Sequence, residues 1–140
     1  MGYDLLLRGA RVIDPGQGLD TIADVAFAGG RVAAVGPQLN ADAKVERDLP
    51  GCIVMPGMID VHYHAQWLIP EVHPGQAWQY LTTLAYGVTT TRDPQTSSSD
   101  VVTYGDLVEA GQVIGPRIYS TASGVGYWLE QIRDLVILSR

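Results

Sequence analysis

The sequence predicts an α/β protein in which an all-β module precedes a sheet of parallel strands alternating with helices. Runs of β-like residues, separated by turn residues, occupy the first fifty-five positions. The apolar pattern then changes to strands that alternate with helical periods, which favours parallel strands with crossover helices. Apolar residues make up 46% and charged residues 17% of the 140, as in globular proteins. The predicted domains are a composite β-sandwich-like module over 1–55 and an α/β domain over 56–140.

Turn chemistry defines the elements of the β-module. Gly29-Gly30 separates two β-like runs and predicts a type I′ hairpin, because both positions of that turn need positive φ. Asp14 and Asp24 are assigned to turn and surface chemistry, and Cys52 to a small buried hydrophobic position. The predicted strands span 3–13, 24–28, 31–35, 44–49 and 52–55.

Helical and strand periods alternate after the module. Trp78, Leu81 and Leu84 recur at helical spacing, and Gly87 and Gly111 are suitable helix stops. The predicted strands span 58–64, 88–91 and 117–121, and the predicted helices span 76–86, 98–110 and 127–138.

Two histidines lie two positions apart at the end of the first of these strands. Successive side chains of a strand point to opposite faces, so His62 and His64 share one face. Neutral imidazole nitrogens are ligands of zinc, so the pair is a candidate site for Zn²⁺ or another divalent metal. Asp60 falls on the same face, where it either orients an imidazole by a hydrogen bond or caps the strand.

The segment PGMIDVHYH over 56–64 resembles the first barrel strand of the amidohydrolase superfamily. Residues 3–14 and 30–36 resemble the small β-domain of its dihydroorotase- and imidazolonepropionase-like members. Residues 86–94 and 115–121 resemble barrel strands two and three, with prolidase-like members among the most similar. The resemblance implies the start of a metal-dependent-hydrolase (β/α)₈ TIM barrel, which remains incomplete because each barrel unit takes roughly 31 residues.

The resemblance also implies a function. His62 and His64 would bind the metal, which activates water for attack on an amide carbon. The family's other ligands lie on later barrel strands. The implied protein is therefore an amidohydrolase, hydrolysing carbon–nitrogen bonds of small-molecule amides, cyclic or of the amino-acid type. The chain is expected to be a fragment that is inactive alone and that pairs its open sheet edge with a second copy or a complementing chain.

Three further residues lie where loops feed such a site. Arg92 and Asp93 follow the second barrel strand, at the end where barrel enzymes place their active sites. They form either a structural ion pair or contacts to substrate. His73, in the loop after His64, is either a solvated loop residue, a further ligand or a substrate contact.

Composition excludes several other classes of protein. The net charge of −6 and the lack of a basic run exclude a general nucleic-acid binder. No segment reaches the ~20 apolar residues of a membrane span, and no secretory signal begins the chain. With a single cysteine, a reducing cytoplasmic location is expected. The alternative function is a non-catalytic metal-binding or assembly module.

Overall fold

The computed structural model describes residues 2–65, 72, 75–96 and 98–121, and it divides the chain into two compact units between Pro56 and Gly57. The predicted helix over 127–138 and the loop histidine His73 lie outside the described residues. The first unit contains β1 (Tyr3–Asp14), β2 (Leu19–Ala28), β3 (Arg31–Gly36), β4 (Ala43–Asp48) and β5 (Ile53–Val54). The second contains β6 (Met58–Asp60), α1 (Trp78–Ala85), β7 (Val88–Asp93), α2 (Ser98–Glu109) and β8 (Arg117–Ser120).

The strands of the first unit form one five-stranded sheet. Its strand order is β3-β2-β1-β4, and β5 also pairs with β1. Strand β2 is antiparallel to both of its neighbours, β1 and β3. The sequence predicted a sandwich-like module, whereas the described strands make a single sheet. The reason is the 12-residue length of β1, which lets β4 and β5 pair with it in succession, both parallel.

The hairpin prediction is confirmed. Gly29 and Gly30 have φ of 57° and 72°, and Ala28 pairs with Arg31 on either side of them. The carboxylate of Asp4 accepts a hydrogen bond from the Gly29 amide at 2.7 Å, which attaches the turn to β1.

A β-bulge in β1 decides which residues enter the apolar core of the module. The register with β2 shifts between Leu7 and Ala10, where Gly9 has a φ of 67°. The extra residue reverses the alternation of faces, so Leu7 and Val12 join one cluster. The other members of this cluster are Ala23, Val25, Phe27 and Val54.

Asp24 holds this bulge from the neighbouring strand. Its side chain is buried, and it accepts hydrogen bonds from the amides of Gly9 at 2.9 Å and Leu39 at 3.0 Å. Arg8 adds an ion pair at 3.2 Å. The assignment of Asp24 to surface chemistry is therefore wrong, because its side chain is buried. One of its partners does lie in a loop, since Leu39 falls between β3 and β4.

Cys52 is exposed, so the prediction of a buried cysteine is wrong. Its backbone is fixed beside β1, since its carbonyl accepts from the Arg11 amide at 2.9 Å. The adjacent Ile53 is also 56% exposed. Val54, the next residue, packs against the apolar cluster, so side chains along β5 alternate between exposed and partly buried.

The second unit confirms the predicted α/β fold. Its parallel sheet has the order β6-β7-β8, with α1 before β7 and α2 before β8. Its core contains Ala77, Tyr80, Tyr104 and Val113, against which Ile118 of β8 packs. No helix in the described part of the chain is both long and apolar enough to cross a membrane.

Gly57 permits the first two strands of this sheet to approach closely. A Cβ atom at this position would lie 2.1 Å from the Oγ1 atom of Thr89 and 2.7 Å from its Cβ. Real Cβ contacts are never this short, so a side chain at position 57 would separate β6 from β7.

Candidate metal centre

Strand β6 ends at Asp60, before either histidine. The Oδ1 atom of Asp60 accepts a hydrogen bond from the His62 amide at 3.0 Å, and residues 61–62 form a turn. The prediction of a strand to residue 64 is therefore wrong, because this side chain takes the amide that a continued strand would use in its ladder. The structure places the Asp60 carboxylate on the backbone of His62.

The two imidazoles nevertheless lie together. The ring centroids of His62 and His64 are 4.8 Å apart, with an angle of 61° between the ring planes. Two imidazoles that share one tetrahedral zinc at about 2.0–2.1 Å would have centroids roughly 5 Å apart. The pair therefore has the donor chemistry of two zinc ligands, and its ring separation is compatible with one shared ion. Within the ranges that the structure describes, no group of three or more His, Cys, Asp or Glu residues forms a metal-sized cluster.

Hydrogen bonds to β7 and the residue at its end fix the histidine segment. The Tyr63 amide donates to the carbonyl of Arg92 at 3.0 Å, and the Ala65 amide donates to Oδ2 of Asp93 at 2.8 Å. The Tyr63 ring lies 6.5 Å from that of Tyr80, in the core below. His62 and His64 thus stand on either side of a residue that is anchored to the sheet and to the core.

Asp93 is the most highly connected side chain near the pair. It is 1% exposed, and its Oδ1 atom accepts from the amides of Gln95 at 3.0 Å and Thr96 at 2.9 Å. Its Oδ2 atom accepts from the Ala65 amide and from the Thr96 hydroxyl. Burial alone raises the pKa of this carboxyl, but these hydrogen bonds outweigh it and hold the pKa below its ordinary value. Asp93 is therefore a carboxylate at neutral pH.

Arg92 and Asp93 do not form the ion pair that was one interpretation of the sequence. Arg92 is exposed whereas Asp93 is buried, as alternation along β7 requires of neighbouring residues. Among the described residues, no carboxylate lies within 4.0 Å of the Arg92 side chain.

Sequence reasoning identified the histidines but missed how they are held. It did not anticipate that the amides of Tyr63 and Ala65 would be the points of attachment. One signal was available: Asp93 precedes a proline and a threonine follows three positions later, which is typical of a turn closed by an aspartate side chain. That pattern predicts the bonds to residues 95 and 96, but not the bond to residue 65.

Comparison with known proteins extends this description. A dihydroorotase from Pelobacter propionicus is 47% identical over 62 residues, which are 44% of this chain and 15% of that protein. An adenine deaminase from Deinococcus radiodurans is 49% identical over 63 residues, which are 45% of this chain and 12% of that protein. A solved prolidase, complexed with N-methylphosphonate-L-proline, matches with a TM-score of 0.64 and 25% identity over 84% of this chain and 31% of its own. No family model matches the chain.

The fold and the histidine pair define a protein with a β-module followed by the first strands of a (β/α)₈ barrel. The relatives and the solved structures confirm the resemblance predicted from the sequence, which is to the N-terminal portion of the amidohydrolase superfamily. The chain spans 14% and 15% of the length of the first curated relatives that it matches.

Proposed function

We propose that the chain is part of a metal-dependent hydrolase that acts on carbon–nitrogen bonds of small cyclic or amino-acid-type amides. The observation that carries the proposal is the 4.8 Å separation of the His62 and His64 rings at the C-terminal end of the first parallel strand. Barrel enzymes build their sites at this end of the strands. The dihydroorotase and allantoinase names of relatives support carbon–nitrogen chemistry.

His62 and His64 would hold the metal through neutral imidazole nitrogens. A divalent ion such as zinc, when bound, supplies Lewis acidity for water and for a substrate carbonyl. Asp60 sets the turn that carries His62 out of the strand, and Asp93 holds the backbone after His64. The remaining ligands would come from outside the described residues, either from later barrel strands or from a complementing copy.

Arg92 would contact the substrate. Its guanidinium is exposed at the end of β7, on the face opposite Asp93, and it has no carboxylate partner among the described residues. An arginine in this setting can bind a carboxylate or a carbonyl oxygen with two parallel hydrogen bonds. Arg92→Lys is therefore expected to raise KM more than it lowers kcat in the active assembly.

Zinc binding by the purified chain tests the metal centre. Equilibrium dialysis should give about one zinc per chain, with at least tenfold weaker binding by His62→Ala/His64→Ala. His73→Ala decides between two interpretations of that residue: retained affinity would indicate a solvated loop residue, and reduced affinity a further ligand. Equal binding by the double variant would overturn the proposal.

Hydrolysis is tested separately with a cyclic ureide and an N-acyl amino acid. The zinc-loaded 140-residue chain alone is expected to turn over neither compound, because two histidines do not complete a hydrolytic site. Full activity of this chain would show that no further strand is required. Metal binding without turnover in any assembly would favour the alternative of a metal-binding or assembly module.

A further inference from the structure

We infer that Asp93 is a positioning residue of the metal centre, which sets the separation of the two imidazoles by fixing the backbone at Ala65. This inference rests on the proposed function, since it concerns the same histidine pair. It assigns to Asp93 neither a bond to the metal nor a contact to substrate.

The Asp93 carboxylate joins two loops. Through Oδ2 it receives the amide of Ala65, in the loop that follows β6, and through Oδ1 it receives the amides of Gln95 and Thr96, in the loop that follows β7. Ala65 and Asp93 are each only 1% exposed, so water does not compete for this bond. The bond spans 28 positions of sequence and is the last attachment of the described segment after His64.

The position of His64 depends on this bond more than that of His62 does. Both histidines lie beyond the end of β6, so the strand ladder does not hold them. His62 is flanked by two attachments, its own amide on Asp60 and the Tyr63 amide on the Arg92 carbonyl. His64 lies between the Tyr63 attachment and the Ala65 attachment. Among the attachments made by the described residues, loss of the latter leaves the His64 backbone anchored on one side only.

The acceptor capacity of Asp93 argues against a direct bond to metal. A carboxylate offers about four lone-pair sites, and Asp93 already accepts four hydrogen bonds. Its burial on the face opposite the exposed Arg92 agrees with this assignment. Asp93 therefore acts on the histidines through the backbone.

Asp93→Asn tests the inference, with Asp24→Asn as the matched control. Asp24 is likewise a buried carboxylate that accepts two backbone amides, but it lies in the β-module. Either change places an amide group where a backbone N–H needs an acceptor, so both variants should unfold at lower temperature. Only Asp93→Asn should weaken Zn²⁺ binding, by tenfold or more, and alter the absorption spectrum of bound Co²⁺, measured well below the unfolding temperature.

The outcomes separate this inference from the proposed function. Equal zinc affinity and an unchanged Co²⁺ spectrum in Asp93→Asn would overturn the inference and leave the proposed function standing. Equal weakening in Asp24→Asn would also overturn it, because the effect would then be one of general stability. Wild-type binding no tighter than that of His62→Ala/His64→Ala would overturn both. If Asp93→Asn does not fold, Asp93→Glu, which keeps the charge but displaces the carboxylate by one methylene, gives the same comparison.

Discussion

Each unit of the chain contains a buried aspartate whose carboxylate accepts backbone amides, namely Asp24 and Asp93, yet the two aspartates stabilise different features. Asp24 closes a bulge within the β-module, and it also accepts the amide of Leu39 in the loop between β3 and β4. Asp93 joins the ends of two parallel strands, where the chain carries its histidine pair. The same chemical device therefore maintains a fold in one unit and the geometry of a candidate site in the other.

Glycines of two kinds occur in the chain, and those with positive φ include Gly87 and Gly111 of the second unit. In the β-module, Gly9, Gly29 and Gly30 have positive φ, and a Cβ added at any of them would meet no atom within 4 Å, so they serve the backbone conformation. Gly57 of the second unit has an ordinary φ but no room for a Cβ. Substitution of a positive-φ glycine therefore measures the free-energy cost of backbone strain. Substitution of Gly57 measures the cost of separating two neighbouring strands.

The largest effect on stability is expected from Gly57→Ala. Its Cβ would overlap Thr89, so β6 and β7 must separate, at a cost at or above the upper end of about 1–3 kcal/mol for overpacking. Urea denaturation measures the change. Gly75→Ala, at a position with nothing within 4 Å, is the matched control, and Gly57→Ala/Thr89→Ala should recover part of the loss. Equal stability of the two single variants would contradict the close approach.

The two aspartates come next, with a loss of about 1–3 kcal/mol in the free energy of unfolding for either change to Asn. Each change leaves a buried backbone N–H without its acceptor. Comparable losses of stability are therefore expected from Asp24→Asn and Asp93→Asn. A loss in one variant alone would show that the two carboxylates are not equivalent anchors.

Acidification should reduce the contribution of Asp93. Its pKa is lower in the folded chain than the value of about 3.9 for an unfolded aspartate, so the folded state favours the carboxylate. The stabilisation is present above the unfolded pKa and is lost as the pH falls through the folded pKa. The stability difference between wild type and Asp93→Asn should therefore shrink below about pH 4. A difference that stays constant from pH 7 to pH 3 would contradict the assignment.

Gly9→Ala is expected to cost about 1–2 kcal/mol, because only the left-handed backbone conformation opposes it. Thermal unfolding checks this value. A loss of stability as large as that of Gly57→Ala would show that the bulge also lacks room for a Cβ atom at position 9.

The smallest effect concerns the exposed ion pair between Arg11 and Asp20, in which Nε and Nη2 each donate to one carboxylate oxygen at 2.7 Å. Both side chains are about half exposed, so Asp20→Asn should lower the unfolding temperature only slightly, and less so at high salt. A large, salt-independent change would contradict a surface role.

Local chemistry explains which parts of the structure were predictable from the sequence. The Gly29-Gly30 hairpin, the glycine helix stops and the alternation of strands and helices depend on neighbours in the chain, and all appear in the structure. The length of β6 was not predictable, because the Asp60 side chain competes with the ladder for the His62 amide. The roles of Asp24 and Asp93 depend on partners 15 and 28 positions away, which no local pattern reports.

The pairing of β1 with both β4 and β5 has a consequence for how the chain is made. Tyr3 pairs with Ala43 and Val12 with Val54, so the sheet of the first unit is completed only by residues near its own C-terminal end. Contacts this distant in sequence are slow to form, because the intervening loop must close first. On the ribosome, β1 therefore waits for about forty residues of further synthesis before its second edge is covered. The module can therefore close only after the chain has been made beyond Val54.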